Sequence, residues 1–551
     1  MYNMDYSVAG NLVDVVNEKI IPAEIKIENG FITNITHTGA KYDDFIIPPF
    51  VDSHIHFESS MLTPSEFARN AAIHGTIGIV SDPHEIANVL GMEGVRYFIE
   101  DAKKVPIKIF FGAPSCVPAT DFESSGAIIN AKDIDELFFV DGLHFLSEFM
   151  NFPGVICGDN SAMEKINIAK KYKKVIDGHC PGVKGNDLLL YIKAGITTDH
   201  ETTSLAEARE KILCGMKIQI RYGGAAKDFN QLYPLIDEYP DKLMFCSDDL
   251  EPADLKKGHI NLLVKKAIKN GMNLMNVLKV ASINPIEHYD LNVGMLRVAD
   301  PADFLIVDNL TDFNVLKTYC DGELIAENGE TKLSYNKPTI INNFNATKIT
   351  AEQLQIKTNC TENTVRTNVI GVTDSRIITK LMHHSLPVKN GNIEPNLDED
   401  IAKLIVLNRY KQRRPIAKCF VQGLQLKNVA IASSVAHDSH NIIASGVSDD
   451  LICNAVNAVV DAKGGIAIAF EDDVKILKLP IAGLMSDLSI DEVATLKNEL
   501  DAILRHKGCK LDAPFMTLSF LALLVIPEIK LSDKGLFDVT TFKFVNNEIE
   551  I

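Results

Sequence analysis

Short apolar runs alternate with amphipathic stretches along the first half of the chain. Runs such as IGIVSD, IKIFFGAP and KLMFCSDD have the length of buried strands, whereas TPSEFARNAAIHG and SLAEAREKILCG have the periodicity of helices. The alternation extends over residues 48–292, a length that suits eight strand–helix units. The pattern therefore predicts an α/β fold with a TIM-like (β/α)8 barrel over residues 48–292.

Alternating apolar and polar residues occur on both sides of this region. NLVDVVN and AEIKIENGFITNITH come before it, and the similar phrase DGELIAENGE comes after it. We therefore expect residues 1–47 and 293–335 to pair in one small β-sandwich domain, into which the barrel is inserted. The Asn- and Thr-rich residues 336–365 predict a linker, and the mixed runs of residues 366–551 predict a C-terminal α+β domain.

Composition and charge indicate which kinds of partner and which cellular location to expect. The 551 residues are 46% hydrophobic and 23% charged, which is typical of a globular protein in water. A net charge of −18 repels phosphate backbones and anionic lipids, so we expect neither nucleic acid nor a membrane as partner. The ten cysteines include no CxxC pair, and the first residues resemble no signal segment, which favours a cytoplasmic location.

Histidines and an aspartate follow several of the apolar runs. His54 and His56 end the run in PPFVDSHIHFESS, and positions i and i+2 of a strand point to the same side. His179 in KVIDGHCPG, His200 in GITTDHETT and Asp248 in KLMFCSDDL follow runs of the same kind. Because a barrel carries its site at the carboxyl ends of its strands, these residues predict a site for one or two divalent ions.

These motifs resemble the pattern of the amidohydrolase superfamily. Its members carry HxH on the first barrel strand, a bridging ligand on the fourth, histidines on the fifth and sixth, and an aspartate on the eighth. The longer phrases SHIHFESSMLTPSEFARNAAIHGTIGIVSDPHEIANVLG, PSCVPAT, GHCPGVKGNDL and CSDDLEPADLKKGHI resemble, more narrowly, the adenine deaminase family. The resemblance covers essentially the whole chain and implies a metal-dependent hydrolase.

The bridging ligand distinguishes the subfamilies. Hydantoinase-like and dihydroorotase-like members use a carboxylated lysine, whereas adenine deaminases use a glutamate, and here Glu148 ends an apolar run in GLHFLSEFMNFPGV with no lysine nearby. The resemblance then implies two divalent ions, one on His54, His56 and Asp248, the other on His179 and His200, with Glu148 and a hydroxide between them. The resemblance implies Mn or Fe, which adenine deaminases favour, and Zn is the alternative because imidazole and carboxylate ligands suit all three metals.

The implied reaction is the hydrolytic deamination of adenine to hypoxanthine and ammonia in purine salvage, with the hydroxide attacking C6. Asp248 would carry the proton, His84 would stabilise the hydroxide or the developing charge, and Glu201 would protonate a ring nitrogen. His84 and Asp249 are also the expected substrate-binding residues. Asp249 either accepts a hydrogen bond from a purine N–H or orients a ligand histidine.

Alternatives stay open at this point. A cyclic amidohydrolase of the hydantoinase or dihydroorotase type would be indicated by a carboxylated lysine, and a non-catalytic scaffold on the same fold by a missing ligand. We expect a homodimer, because symmetric homo-oligomers are the common state of soluble enzymes. In the C-terminal domain, SSVAHDSHNIIASG places His437 and His440 where they bind a metal, lie over the barrel mouth or stabilise a domain interface.

Overall fold

Eight short parallel strands form the barrel. The computed structural model describes residues 5–224, 227–373, 377–412 and 414–549. The barrel strands, first to eighth, are Phe50–Ile55, Thr76–Ser81, Lys108–Ala113, Phe145–Phe149, Val175–Gly178, Thr198–Asp199, Lys217–Arg221 and Leu243–Cys246. The first five pair in order, and so do the last three. The predicted (β/α)8 barrel is therefore confirmed.

Backbone hydrogen bonds close the two remaining joints of the barrel. The amide of Thr197 donates to the carbonyl of Ile176 at 3.0 Å, which joins the fifth strand to the sixth. The amide of Asp248 donates to the carbonyl of His54 at 2.9 Å, which joins the eighth strand to the first. The second joint brings two predicted site residues together before any side chain is considered.

Helices cover the outside of the barrel. They are Pro64–Ala71, His84–Leu90, Met92–Ala102, Ala131–Phe139, Phe152–Cys157, Asn160–Lys171, Gly185–Lys193, Leu205–Leu213, Phe229–Leu232, Leu235–Glu238, Pro252–Leu255, Ile260–Lys269, Leu274–Leu278 and Asn284–Tyr289. Every residue of the first and second strands is buried, because helices lie outside the strands and side chains fill the space within. The barrel strands therefore lack the polar–apolar alternation of a half-exposed sheet.

One eight-stranded sheet joins the two segments that flank the barrel. Its strands are Tyr6–Asp14, Lys19–Glu28, Phe31–His37, Phe45–Ile47, Phe304–Val307, Val315–Cys320, Glu323–Glu327 and Glu330–Thr331. Ile46 pairs with Ile306 in antiparallel register at the junction of the segments. The sheet folds over an apolar core, so that the Tyr6 hydroxyl donates to the Gly322 carbonyl at 2.6 Å. The barrel is inserted into this β domain.

The C-terminal domain contains a ten-stranded sheet and a smaller three-stranded sheet. The larger sheet consists of Ile356–Lys357, Thr364–Gly371, Lys380–Lys389, Asn392–Ile393, Ile401–Leu407, Ala417–Gln422, Val429–Ser433, Ile442–Gly446, Gly465–Phe470 and Asp473–Lys478. The smaller sheet consists of Ile529–Ser532, Gly535–Asp538 and Lys543–Phe544. The helices are Asp449–Ala462, Ile490–His506 and Pro514–Ser519. The large sheet starts at residue 356, so part of the predicted linker 336–365 belongs to this domain.

The C-terminal domain lies against the carboxyl-terminal end of the barrel. The amide of Ser486 donates to the Met61 carbonyl at 2.9 Å, and the side chain of Asn441 donates to the Ser124 carbonyl at 2.8 Å. Both barrel residues follow strands at the end where the site was expected. Within the described ranges, no helix is both long and apolar enough to cross a membrane.

Candidate metal centre

Six side chains converge at the carboxyl ends of five barrel strands. These residues, called the ligand set below, are His54, His56, Glu148, His179, His200 and Asp248. Each is buried, with at most 4% of its surface exposed. Strand geometry explains the convergence, because the ends of all parallel strands meet at one rim of the barrel. All six predicted metal ligands are therefore in one place, although 194 positions separate the first from the last.

Glu148 lies between two pairs of histidines. Its Oε1 is 3.3 Å from Nε2 of His56 and 3.8 Å from Nε2 of His54. Its Oε2 is 2.6 Å from Nδ1 of His179 and 3.3 Å from Nε2 of His200. Each carboxylate oxygen thus faces a different pair, which is the arrangement that a ligand shared by two ions requires.

Asp248 is held beside the first pair by the backbone. Its Oδ1 lies 3.4 Å from Nε2 of His56 and 3.7 Å from Nε2 of His54. Its φ is 57°, in the left-handed region that residues other than glycine rarely adopt. Such conformations persist where surrounding bonds impose them and are concentrated at functional sites. Here the closing joint of the barrel imposes the conformation.

The ligand set fits divalent ions. Nε2 of His54 and Nε2 of His56 face each other at 3.1 Å, and the other ring nitrogen of His56 lies 3.1 Å from the Asp82 carbonyl. That outer contact orients the ring and leaves Nε2 for a metal. Three overlapping groups each bring their candidate ligand atoms within 4.8 Å of one another. They are His54, His56 and Asp248; His54, Glu148 and His200; and His179, His200 and Glu201. Imidazole and carboxylate donors of this kind suit first-row divalent metals.

The charges of the cluster compensate one another. Burial alone would raise the pKa of Glu148, but His200 and His179 outweigh burial and hold it well below its usual range. Burial alone would lower the pKa of His200, but Glu148 outweighs burial and raises it to about 9. Without metal, these shifts favour protons on His179 and His200 opposite an ionised Glu148. Metal ions would take the place of those protons, because ligand histidines must be neutral.

Arg221 is a site residue that sequence reasoning missed. It ends the seventh strand, and its Nη1 donates to Oδ2 of Asp248 at 3.0 Å. Two of its nitrogens also donate to the two carboxylate oxygens of Glu201. The sequence feature that could have indicated this residue is an arginine after a short apolar run and shortly before two glycines, in IQIRYGG.

Glu201 reaches the site because the chain after His200 is irregular. Its Oε1 lies 3.9 Å from Nδ1 of His179 and 3.7 Å from Nε2 of His200. On a continuing strand it would point away from its neighbour. Its contact with Arg221 makes it a hydrogen-bond acceptor in this structure, whereas the expected role was that of a proton donor.

His84 lies beside Glu148. Asp82, at the end of the second-strand run, accepts a hydrogen bond from the amide of His84 at 3.0 Å, and its Oδ2 lies 3.2 Å from Nδ1 of the same histidine. Nδ1 of His84 is 3.6 Å from Oε1 of Glu148, and Nε2 is 3.6 Å from Oδ1 of Asp438. The imidazole therefore lies between the ligand set and the C-terminal domain.

Asp249 is at the pocket wall. It accepts a hydrogen bond from the hydroxyl of Ser59 at 2.5 Å, and burial, with a further contribution from Asp248, raises its pKa to about 6. Ligand atoms of Asp249, Glu85 and His437 also lie within 4.8 Å of one another. Both roles expected for Asp249 stay predictions.

Five residues of the C-terminal domain cover the pocket above the ligand set. They are called the roof below and are Ile377, His437, Asp438, Phe520 and Leu523. Nδ1 of His437 lies 2.9 Å from Oε1 of Glu85, in the barrel, and Nε2 of His440 lies 3.9 Å from Oε2 of the same glutamate. Of the three roles open to these histidines, the structure thus combines two: His437 lines the mouth of the barrel, and both lie at the domain interface.

Comparison with known proteins identifies the family. The profile of the Amidohydrolase family matches residues 45–325, and that of the Adenine deaminase C-terminal domain matches residues 376–543. A protein named adenine deaminase from Methanosarcina mazei is 47% identical over 546 residues, which are 98% of each chain. One of the same name from Sulfurovum sp. is 49% identical over 538 residues, again 98% of each chain. This chain belongs to the adenine deaminase family.

Membership in the adenine deaminase family confirms the resemblance inferred from the motifs. The amidohydrolase match shows a metal-dependent hydrolase that uses divalent ions. Among solved structures, dihydropyrimidinase from Brevibacillus agri aligns with a TM-score of 0.47 and 13% identity, over 60% of this chain and 96% of that chain. The family assignment depends on the full-length relatives and not on this distant likeness.

Proposed function

We propose that this protein catalyses the hydrolytic deamination of adenine to hypoxanthine and ammonia. The observation that carries the proposal is the position of Glu148, whose two oxygens face two separate pairs of histidines in a chain of the adenine deaminase family. Its small-molecule partner is then a free purine base. A homodimer and a cytoplasmic location stay predictions from the sequence.

The ligand set supports two ions. His54, His56 and Asp248 would hold one, His179 and His200 the other, and Glu148 would contact both. When bound, such ions supply a water molecule acidic enough to act as a nucleophile at neutral pH. We propose Mn or Fe as the metal in the cell, with Zn as the alternative that the same donors accept.

Side chains of this protein would then move two protons. Conversion of adenine to hypoxanthine adds oxygen to C6, breaks the bond from C6 to N6, and transfers one proton to N6 and one to the ring. Asp248 is the proposed carrier to N6, because Arg221 occupies its Oδ2 and leaves Oδ1 facing the histidines. Glu201 is the proposed carrier to the ring nitrogen, and it must first exchange one of its contacts with Arg221. A carboxylate held in place contributes to such steps as acid and base.

His84 has a different proposed role. It lies 3.6 Å from Glu148, close to the atoms where charge develops during attack on C6. A positioned imidazole there stabilises that charge by hydrogen bonding. Asp249, on the pocket wall, is proposed to accept a hydrogen bond from the purine.

The two other functions lack support at this site. A cyclic amidohydrolase of the hydantoinase type would place a carboxylated lysine at the bridging position, but Glu148 is there, and the described residues that line the pocket include no lysine. A non-catalytic scaffold would lack a ligand, whereas all six residues of the ligand set converge.

Metal-depleted protein provides the test. Ammonia release and the ultraviolet shift from adenine to hypoxanthine are measured before and after addition of Mn²⁺, Fe²⁺ or Zn²⁺, with adenosine and hydantoin as parallel substrates. We expect turnover of adenine alone, reaching its maximum at two ions per chain. Turnover of hydantoin, or of no substrate with two ions bound, would contradict the proposal.

A further inference from the structure

The roof has a defined structure of its own. The ammonium group of Lys530 is buried and donates to the carbonyl of Ile377 at 2.7 Å and to the carbonyl of Phe520 at 2.9 Å. The ring of Phe520 stacks on the imidazole of His437, with centroids 4.7 Å apart and an interplanar angle of 16°. One lysine thus ties together two segments that are distant in sequence, and the roof side chains have fixed positions over the pocket.

Asp438 presents an unsatisfied oxygen to this pocket. The residue is 3% exposed, and its Oδ1 lies 3.6 Å from Nε2 of His84 and 3.7 Å from Nδ1 of His437. Its Oδ2 is buried, and no group among the described residues donates a hydrogen bond to it. A buried carboxylate oxygen without a donor is costly and uncommon, so it indicates a donor that arrives with a ligand.

The surroundings of Asp438 favour the ionised form of its carboxyl group. Burial alone would raise its pKa, but the imidazoles of His437 and His84 outweigh burial and hold the pKa well below its usual range. Asp438 therefore only accepts hydrogen bonds. A ligand that satisfies its free oxygen must bring an N–H or O–H group.

Asp438 and Glu148 lie on opposite sides of the His84 ring. Nδ1 of His84 is 3.6 Å from Glu148 and its Nε2 is 3.6 Å from Asp438, so the two carboxylates are separated by one imidazole ring and a contact of 3.6 Å on each side. If C6 of the six-membered ring faces Glu148, the five-membered ring extends away from the ligand set, toward the roof. Free adenine carries one N–H on that ring, at N9 or N7, whereas adenosine carries none.

We propose that Asp438 accepts a hydrogen bond from the five-membered-ring N–H of the free base and thereby selects adenine over N9-substituted purines. The inference rests on the proposed deaminase function and adds to it a specificity-determining residue. That residue belongs to the C-terminal domain, whereas every residue of the ligand set belongs to the barrel. Under this proposal, the C-terminal domain selects the free base.

The test compares adenine with 9-methyladenine, which lacks the N–H and adds only one methyl group. The Mn²⁺-loaded full-length protein is assayed for kcat/KM on both compounds, and for competitive inhibition by hypoxanthine and 9-methylhypoxanthine. A hydrogen bond to a charged group corresponds to a preference on the order of 10- to 100-fold for the compound that retains the N–H. The Asp438→Asn variant keeps the shape of the side chain but removes its charge. We expect this preference to fall about tenfold in the variant, because kcat/KM on adenine falls and hypoxanthine inhibits more weakly, whereas the 9-methyl compounds are little affected.

Two controls separate recognition from folding and from metal loss. Asp461→Asn changes an aspartate of the same domain that is 60% exposed, and it should keep the wild-type preference. Metal analysis should give two ions per chain in all three proteins, because Asp438 is not a ligand.

The outcomes are distinguishable. Equal inhibition of the wild-type protein by hypoxanthine and its 9-methyl derivative would overturn the proposal, even if Asp438→Asn did not fold. A folded, fully metallated Asp438→Asn protein with the wild-type preference would also overturn it. A fully metallated wild-type protein that leaves adenine unchanged would instead contradict the deaminase function, and this inference with it.

Discussion

The ligand set and the roof face each other across one pocket, but they are held in different ways. Every side chain of the ligand set lies in a barrel strand or in the loop directly after one, so strand pairing fixes its position. The roof comes from three separated segments, around residues 377, 437 and 520, and Lys530 ties two of them together. Rigid elements suit chemistry that requires fixed distances, whereas a covering domain suits the recognition of what enters.

The two regions also differ in charge. The ligand set combines four histidines with two carboxylates, and Arg221 adds a charge behind Asp248. The roof is apolar at Ile377, Phe520 and Leu523, and its polar members are His437 and Asp438. We therefore expect changes in the ligand set to abolish metal binding and turnover together. Changes in the roof should alter substrate recognition and leave the metal in place.

The largest effect is expected for Glu148→Gln. The amide cannot present two anionic oxygens to the two histidine pairs, so we expect metal content to fall below two ions per chain and kcat to fall on the order of 1000-fold. Metal analysis and ammonia release measure the two quantities on the same sample. Glu136→Gln, at a surface glutamate that is 44% exposed, is the matched control and should retain both. Full metal content with normal turnover would exclude Glu148 as the shared ligand.

A smaller effect is expected for His84→Asn, at the boundary between the two regions. Loss of a positioned imidazole costs about 100-fold in kcat, whereas the ligand set is complete and should retain two ions per chain. His383→Asn, at an exposed position of the C-terminal sheet, is the control. Because His84, His56, Asp82 and Glu148 also place ligand atoms within 4.8 Å of one another, loss of an ion from His84→Asn would assign His84 to the metal centre instead.

The smallest effect is expected for Lys530→Met, which acts on the roof alone. Burial lowers the pKa of Lys530 to about 7, below the value of about 10.4 in an unfolded chain. The unfolded protein therefore binds more protons between pH 7 and pH 10, and stability rises with pH over that window. This group alone should add about 2 kcal/mol to the free energy of unfolding between about pH 7 and pH 9.

Thermal unfolding at several pH values tests this expectation. Lys530→Met should lose the pH-dependent gain and raise KM for adenine, while its metal content stays at two ions per chain. Lys543→Met, at an exposed lysine of the same three-stranded sheet, should behave as the wild type. An unchanged pH dependence in Lys530→Met would show that this lysine is not the group that titrates.

The convergence of the ligand set could be predicted because it depends on local pattern, and its binding of metal stays a prediction. His54 and His56 are two positions apart on one strand, and each of the other four ends or follows a short apolar run of the kind that forms a buried strand. Arg221 follows such a run too. An arginine at a strand end can equally be exposed to solvent or line a site, and no spacing rule distinguishes these two alternatives. The role of Glu201 stays a prediction, and its hydrogen bonds from Arg221 are a feature that the sequence pattern did not indicate.

Periodicity in the sequence predicted the barrel and the flanking β strands, the positions of the histidines and carboxylates after apolar runs predicted the residues of the ligand set, and the resemblance of longer motifs indicated the family, because all of these are local properties of the chain. Only the tertiary structure decided which oxygens of Glu148 face which histidines, how Asp248 is held, and that the C-terminal domain covers the site. Asp438 and Phe520 enter the pocket through contacts between domains, and such contacts leave no periodicity in the sequence. Their function depends on three-dimensional proximity, which folding alone creates.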